Sequence, residues 1–429
     1  MFFAERAAAK VPRIGREVEP QAIAAAGVVG SGTMGGGITM CFADAGIPVK
    51  VLDANPQALQ RGIATMRKNY EATAAKGRIT AADVERRMGM ITPVTDLSAL
   101  ADADIIIEAV FEEMAVKKDV FARLDKVAKA GAILASNTSY LDVDEIAASV
   151  PGRAGNVLGL HFFSPANVMR LLEVVRTRTV SPGTLVTALA LGRRLRKMPI
   201  VAGVCQGFIG NRMLKPYLRE ALFLLEEGAS PQQVDKALTD FGMAMGPFAV
   251  KDLAGLDIDW RNRKAFAHER DPSKRYSPVD DRLCEMGRFG QKTGAGYYRY
   301  EKGSRTPIPD PVVEDVILRS AMEKGITRRS IGPEEIVTRC LYPLVNEGFK
   351  ELEEGIALRA SDIDLVWING YAFPAWRGGP MHWADSVGLA RVLAEVERLS
   401  RTNDYWEPAP LLQRLVREGR SLADLDAGR

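Results

Sequence analysis

The stretch that decides the fold covers residues 24–55 and reads AAAGVVGSGTMGGGITMCFADAGIPVKVLDAN. It begins with a short apolar segment, continues with closely spaced glycines and ends with the apolar segment VKVL followed by Asp53. In a G-x-G-x-x-G pattern the first glycine permits a tight turn after a strand, the second lets a pyrophosphate approach the backbone, and the third lets helix and strand pack closely. Gly30, Gly32 and Gly35 have this spacing. We therefore predict a strand, a turn, a helix and a second strand.

The same stretch predicts a dinucleotide site. Asp53 lies 18 residues after Gly35, where the second strand of the unit should end. A carboxylate there accepts the ribose hydroxyls of NAD and repels the 2′-phosphate of NADP. A glycine pattern alone is more typical of a structural turn, but the preceding apolar strand and the carboxylate favour NAD. The residues predicted to bind NAD from this stretch are Gly30, Gly32, Thr33, Met34, Gly35 and Asp53.

The composition excludes several classes of function. With 47% hydrophobic and 26% charged residues, the chain is typical of globular proteins. Its net charge of +3 is small for 429 residues, and its basic residues do not form the cluster typical of nucleic-acid binders, so we expect no nucleic-acid partner. Apolar runs of about 18 residues are absent, so no membrane span is expected. Four separated cysteines without a C-x-x-C pair indicate a reducing compartment and argue against a disulfide framework or a zinc site, so no metal is expected. Without a recognisable targeting segment, the predicted location is cytoplasmic.

The order of segments predicts the architecture. Between about residues 27 and 203, apolar strand-like runs alternate with helical stretches, which predicts a parallel sheet flanked by helices. Beyond Cys205 the strand signals fade and apolar residues recur at helical spacing. Aligning Arg212 with Arg339 pairs RMLKPYLREALFLLEEG with RCLYPLVNEGFKELEEG, which indicates a duplicated helical domain. The predicted fold class is therefore an α/β Rossmann domain followed by two tandem, duplicated all-α domains.

The predicted domains follow from these boundaries. They are a linker helix (1–24), an NAD-binding Rossmann domain (25–203), a first helical domain (204–303), a linker (304–330) and a second helical repeat (331–429).

Two residues are candidates for acid–base chemistry. His161 lies at the end of an apolar strand on the carboxyl side of the predicted sheet, where ligands bind in such folds. Glu173 lies within the apolar run RLLEVV, where an unpaired charge is costly. A carboxylate that fixes the imidazole tautomer and stabilises the imidazolium suits proton abstraction from an alcohol. The alternatives are a hydrogen-bonded core histidine and a surface ion pair of Glu173 with Arg170 or Arg176.

Five motifs carry a resemblance to a known family. GSGTMG, SNTSYL, HFFSPANVM, LLEVV and GFIGNR have the order and spacing of the (S)-3-hydroxyacyl-CoA dehydrogenases of fatty-acid β-oxidation, which the chain resembles. RFGQKTGAGYY and the second repeat are similar to the dehydrogenase half of the multifunctional enzymes, and FFAERAAAKVP resembles the linker after their hydratase domain. The resemblance implies NAD-dependent oxidation of a 3-hydroxyacyl-CoA thioester, with His161 as general base and Glu173 orienting it. Without a hydratase domain, no hydration of enoyl-CoA is expected.

The resemblance also implies further site residues. It makes Ser139 and Asn211 hydrogen-bond donors to substrate oxygens, and it places Glu112 and Lys117 along the cofactor site. Helix capping is the alternative role for Ser139 and Asn211. The second repeat has Thr338 at the position of Asn211, so we expect only the first repeat to serve the site.

The resemblance bears on assembly as well. The helical domain dimerises in single-function relatives, and here the second repeat can take the partner's place, so we expect a monomer with an internal pseudo-dimer. Two other functions stay open at this point. One is a β-hydroxyacid dehydrogenase that acts on free acids with a lysine base, and the other is a non-catalytic, cofactor-binding structural protein on the same fold.

Overall fold

The computed structural model describes residues 1–12, 14–15, 17–401, 403 and 405–427. These residues form two compact units. The first unit comprises Met1–Arg212, Glu351–Tyr371 and Ala423–Arg429, and the second comprises Met213–Lys350 and Ala372–Leu422. In the predicted linker helix at 1–24, the structure has a short helix at Phe2–Ala8, and residues 13 and 16 lie outside the described residues.

A single sheet organises the first unit. In chain order its strands are β1 (Ala26–Val29), β2 (Val49–Leu52), β3 (Ile91–Val94), β4 (Ile105–Glu108), β5 (Ile133–Ser136), β6 (Val157–Phe162), β7 (Leu171–Arg176) and β8 (Met198–Gly203). Their spatial order is β3-β2-β1-β4-β5-β6-β7-β8. The order reverses between β1 and β4, and ligands bind at such a switch point, outside the carboxyl ends of the strands.

Helices cover this sheet and form the rest of the chain. In chain order they are α1 (Phe2–Ala8), α2 (Thr33–Asp44), α3 (Pro56–Ala75), α4 (Ala81–Met88), α5 (Met114–Val127), α6 (Val143–Ala148), α7 (Pro182–Arg194), α8 (Gly210–Glu227), α9 (Pro231–Phe241), α10 (Pro247–Ala254), α11 (Leu256–Ala265), α12 (Val279–Glu285), α13 (Pro311–Glu323), α14 (Pro333–Glu354), α15 (Ala360–Gly370), α16 (Pro380–Val387), α17 (Leu389–Ser400), α18 (Pro410–Glu418) and α19 (Leu422–Ala427). The predicted fold class is confirmed, because a Rossmann-like sheet precedes a helical region.

The central strands are apolar because both faces of the sheet are covered. Every residue of β1, β4 and β5 is buried, as expected for a parallel sheet between two helical layers. Local signals set the helix starts. Asn55 caps α3 by accepting from the backbone N–H groups of Gln57 and Ala58, and Pro56 occupies the first helical position. These two features fix the start of α3, shortly after the end of β2.

One strand pair differs from the predicted parallel sheet. β6 and β7 pair antiparallel, whereas the other neighbouring strands pair parallel. Residues 163–170 connect them, and this connection is too short for a parallel crossover, which needs about a dozen residues or more. The antiparallel register places His161 directly opposite Glu173. The deviation from the expected sheet therefore brings the two candidate residues together.

The second unit is helical and holds a buried ionic network. Arg339 is 6% exposed, and its guanidinium donates to Glu220 Oε2 at 2.8 Å and to the carboxylate of Glu227. The indole N–H of Trp406 donates to Glu220 Oε1 at 3.1 Å. Removal of one partner would leave a buried charge uncompensated, so we expect a substitution within this network to destabilise the unit.

The two compact units divide the chain differently from the predicted domains. Residues 351–371, which belong to the predicted second repeat, group with the sheet. A division into compact units does not test domain boundaries, so the predicted boundaries stay a prediction. Within the described residues, no helix combines the length and apolar character needed to cross a membrane.

Candidate active site

The glycine-rich loop leaves room for a ligand at the switch point. Gly30 follows β1 with φ +104°, and a Cβ on it would lie 2.6 Å from the carbonyl oxygen of Ala109. A Cβ on Gly35 would lie 1.9 Å from the carbonyl oxygen of Gly30, so helix and strand touch there. A Cβ on Gly32 would meet nothing within 4 Å, and this residue is the N-cap of α2, with no side chain to hydrogen-bond the first helical N–H groups. The open helix N-terminus fits a pyrophosphate, as the sequence predicts.

Asp53 is held beside this loop as a carboxylate. It directly follows β2, and its Oδ2 accepts from the Ser31 backbone N–H at 3.1 Å and from the Ser31 hydroxyl at 2.6 Å. Its Oδ1 accepts from the Asn55 N–H at 3.0 Å. Partial burial opposes ionisation, but these hydrogen bonds outweigh it, so the pKa of Asp53 is lowered. An ionised acceptor at the end of β2 suits the ribose of NAD.

His161 and Glu173 form a buried pair. His161 Nδ1 lies 2.7 Å from Glu173 Oε2, and the two residues are 3% and 0% exposed. Glu173 Oε1 accepts from the backbone N–H groups of Ile209 at 3.1 Å and Gly210 at 2.9 Å. With Nδ1–H donating to the carboxylate, the lone pair of the neutral ring lies on Nε2. The arginine partners considered for Glu173 are not its contacts here, since the histidine and two backbone amides occupy its oxygens.

Ser139 does not cap the helix that follows it. The cap of α6 is Asp142, whose Oδ1 accepts from the backbone N–H groups of Asp144 and Glu145. The backbone N–H of Ser139 instead donates to Glu112 Oε1 at 2.8 Å. The Ser139 hydroxyl is thus not committed to the helix and lies at the carboxyl edge of the sheet, just beyond β5.

Glu112 and Lys117 belong to a buried polar network. Lys117 is 1% exposed, and its ammonium lies 2.8 Å from Glu108 Oε1 and 3.4 Å from Glu112 Oε2. Glu108 is 0% exposed and also accepts from the Ser136 hydroxyl at 2.7 Å. The sequence analysis missed Glu108, although a carboxylate in the apolar run ADIIIEAV is the signal that identified Glu173. Lys117, expected along the cofactor site, lies beneath the surface and holds Glu112.

Asn211 contacts a residue of the second repeat. It lies in the first turn of α8, and its Oδ1 accepts from the Tyr371 hydroxyl at 2.8 Å. The side chain therefore bonds a tyrosine rather than capping the helix. We predicted that only the first repeat serves the site, and this stays a prediction, although Tyr371 of the predicted second repeat contacts Asn211. No sequence signal marked Tyr371, since its partner lies 160 positions away.

These features define a class of protein. An open glycine-rich helix N-terminus with an adjacent carboxylate, and a buried histidine–glutamate pair at the same edge of the sheet, are the parts of a nicotinamide-dependent dehydrogenase. Residues 25–205 match the 3-hydroxyacyl-CoA dehydrogenase NAD binding domain, and residues 207–300 and 336–425 match the C-terminal domain. The chain belongs to the 3-hydroxyacyl-CoA dehydrogenase family. The expected cofactor, NAD, and the expected class of enzyme are confirmed.

Known proteins resemble the chain over nearly its whole length. A peroxisomal bifunctional enzyme from Danio rerio is 44% identical over 97% of this chain and 60% of its own length. The chain therefore spans 60% of the length of this relative. A crystal structure of 3-hydroxybutyryl-CoA dehydrogenase from Escherichia coli is similar with a TM-score of 0.80 and 27% identity, over 93% of this chain and 100% of that one. A crystal structure of the dehydrogenase part of multifunctional enzyme 1 from C. elegans is similar with a TM-score of 0.71 and 29% identity, over 96% of each chain.

The relatives correct the predicted location. Enzymes from Danio rerio, Homo sapiens and Arabidopsis thaliana that match this chain are named peroxisomal. The cytoplasmic prediction is therefore wrong. It rested on cysteine usage and on the lack of a recognised address, and cysteine usage distinguishes oxidising from reducing surroundings without naming the organelle.

Proposed function

We propose that the chain oxidises (S)-3-hydroxyacyl-CoA to 3-oxoacyl-CoA in fatty-acid β-oxidation and that it acts in the peroxisome. The observation that carries the proposal is the buried contact of His161 Nδ1 with Glu173 Oε2 at 2.7 Å, at the carboxyl edge of an NAD-binding sheet. Family membership supports the thioester substrate, and the names of the relatives support the pathway and the compartment.

The histidine moves the proton. His161 Nε2 takes the proton of the 3-hydroxyl group, while Nδ1–H stays bonded to Glu173. The buried carboxylate stabilises the imidazolium that forms, and in the reverse direction the same nitrogen returns the proton to the ketone oxygen. NAD, when bound, supplies the acceptor for the hydride that leaves C3. Glu173 keeps one orientation because two backbone amides hold its other oxygen.

Two donors act on the substrate oxygens. The Ser139 hydroxyl and the Asn211 amide stabilise charge that builds on oxygen in the transition state, and they do so best when they are oriented beforehand. Glu112 fixes the backbone of Ser139, and Lys117 in turn fixes Glu112. Gly30, Gly32, Thr33, Met34, Gly35 and Asp53 hold the cofactor in this proposal.

The two repeats form an internal pseudo-dimer within a monomer in this proposal. The alignment that pairs Arg212 with Arg339 also pairs Glu227 with Glu354. Arg212 Nη2 donates to Glu354 Oε1 at 2.8 Å, and Arg339 Nη2 donates to Glu227 Oε1 at 3.1 Å. Such reciprocal pairs are typical of a two-fold interface. Sedimentation at low concentration should give 46.8 kDa, and twice that mass would contradict the monomer.

The test follows NADH absorbance with acetoacetyl-CoA. The wild-type chain should consume NADH, and His161→Gln should lower kcat by about 10²-fold or more. His268→Gln is the matched control, because this histidine is exposed in the second unit. Turnover of free acetoacetate but not of the thioester would support a β-hydroxyacid dehydrogenase instead. NADH binding without turnover would support a non-catalytic protein.

A further inference from the structure

The phenol of Tyr371 lies against the first turn of α8. Its hydroxyl donates to Asn211 Oδ1 at 2.8 Å. A Cβ on Gly210 would lie 2.4 Å from the hydroxyl oxygen, so the glycine before Asn211 leaves the space that the phenol fills. The contact therefore depends on two local features, a tyrosine after α15 and a glycine at the start of α8.

Two aromatic rings fix the position of this phenol. Trp367 stacks on the Tyr371 ring with centroids 4.6 Å apart and an interplanar angle of 25°. Phe163 meets the ring edge-on at 5.6 Å, and its own centroid lies 4.4 Å from that of His161. Burial, reinforced by the charge of Glu173, raises the pKa of Tyr371 well above its ordinary value. The hydroxyl is thus a protonated donor in a fixed place, one aromatic ring away from the proposed base.

We propose that Tyr371 is a positioning residue that turns the Asn211 amide toward the substrate, an inference that rests on the proposed role of Asn211. A carboxamide has an acceptor oxygen and a nitrogen with two N–H groups. Tyr371 takes the oxygen, and in the described part of the chain Asn211 Nδ2 makes no hydrogen bond. Both N–H groups therefore stay available for a substrate oxygen. The reversed amide would present Oδ1 to that oxygen and repel its developing charge.

This inference gives the second repeat a part in the reaction. Tyr371 comes from the segment that pairs with the first repeat by sequence, whereas Asn211 comes from the first repeat. The second repeat has Thr338 where the first has Asn211. It thus lacks an asparagine of its own at this position but contributes the tyrosine that orients the asparagine of the first repeat.

The test is a double-mutant cycle in the full chain. Tyr371→Phe, Asn211→Ala and the double variant are compared for reduction of acetoacetyl-CoA by NADH. Tyr371→Phe keeps the ring and loses one hydrogen bond, so kcat/KM for the thioester should fall about three- to tenfold while the KM for NADH stays unchanged. In the Asn211→Ala background it should cause no further loss. Tyr70→Phe is the matched control, because its buried hydroxyl donates to Asp44 at 2.9 Å within the same unit.

Each outcome separates the two proposals. A loss of equal size in both backgrounds would mean that Tyr371 acts independently of Asn211, and no loss in the wild-type background would mean that the hydrogen bond has no effect. Either result overturns the inference and leaves the proposed function intact. Wild-type kcat/KM in Asn211→Ala would instead refute the proposed role of Asn211, and the inference would fail with it.

Discussion

Glu173→Gln isolates the contribution of charge and tautomer to the proposed chemistry. The glutamine has the shape of the glutamate, and its oxygen still accepts from the backbone N–H groups of Ile209 and Gly210. Its amide nitrogen then faces Nδ1 of His161, across a contact of 2.7 Å in the native chain. A donor at this place holds the imidazole in the tautomer whose proton is on Nε2, which removes the lone pair from the substrate side.

The expected loss follows from two effects. A hydrogen bond to a charged group contributes about 1.5–3 kcal/mol, which corresponds to about 10- to 150-fold in rate. The wrong tautomer also removes general-base catalysis, itself about 10²- to 10⁴-fold. Because the two effects overlap, we expect kcat for oxidation of a 3-hydroxyacyl-CoA by NAD, the direction in which His161 acts as the base, to fall by about 10²- to 10⁴-fold.

The assay reads NADH absorbance under saturating substrate, with thermal unfolding and NADH fluorescence as controls. The melting temperature and NADH affinity should change little, because the packing and the glycine-rich loop are intact. Adding His161→Gln should cost little more, since residues that act as a unit are not additive. A variant that folds normally and keeps kcat within about threefold of the wild type would refute the assigned pair.

Three further predictions concern the cofactor loop and the second unit. Gly32→Ala should keep the melting temperature, because its Cβ meets only open space in the protein, and should weaken NADH binding, because that space is where the pyrophosphate is expected. Gly35→Ala should lower both the melting temperature and the affinity for NADH, since its Cβ would lie 1.9 Å from a carbonyl oxygen. Calorimetry with NADH checks both variants, and equal melting temperatures would contradict the difference. Asp53→Ala should lower kcat/KM for NADH and reduce the ratio of kcat/KM for NADH to that for NADPH. Initial rates measured with each cofactor check both expectations. Burial raises the pKa of Asp252 from 3.8 to about 6, so the native chain loses stability as pH rises through this window. Asp252→Asn lacks this loss, and its stability relative to the wild type, measured by urea unfolding, should rise between pH 4 and about 6.

Much of the first unit could be predicted because its signals are local. The spacing of Gly30, Gly32 and Gly35 requires a particular turn, and Asp53 ends the next strand, so the cofactor loop follows from residues 24–55 alone. The pair of His161 and Glu173 needed one more step. They are 12 residues apart, so the connection between their strands is too short for a parallel crossover. This length predicts an antiparallel pair of strands, which the sequence analysis did not predict.

The rest depends on long-range contacts that no local pattern encodes. Tyr371 and Asn211 lie 160 positions apart in the chain, and neither differs in type from ordinary helix-end residues. Lys117 is an intermediate case, since its place on α5 is predictable but its burial against Glu108 is not. Organelle location is a third kind of limit, because it depends on recognition by a receptor rather than on the folding of this chain.

The hydrogen bonds that two backbone amides donate to Glu173 determine what an isolated NAD binding domain would retain. Glu173 belongs to residues 25–205, which match the NAD binding domain, whereas Ile209 and Gly210 belong to residues 207–300, which match the C-terminal domain. An excised first domain keeps the glycine-rich loop, yet its buried carboxylate lacks two of its donors. We therefore expect the excised domain to keep the glycine-rich cofactor loop but to lose the full set of hydrogen bonds that orients Glu173. Any recombination that joins this sheet to a foreign helical partner must bring the GFIGNR turn with it.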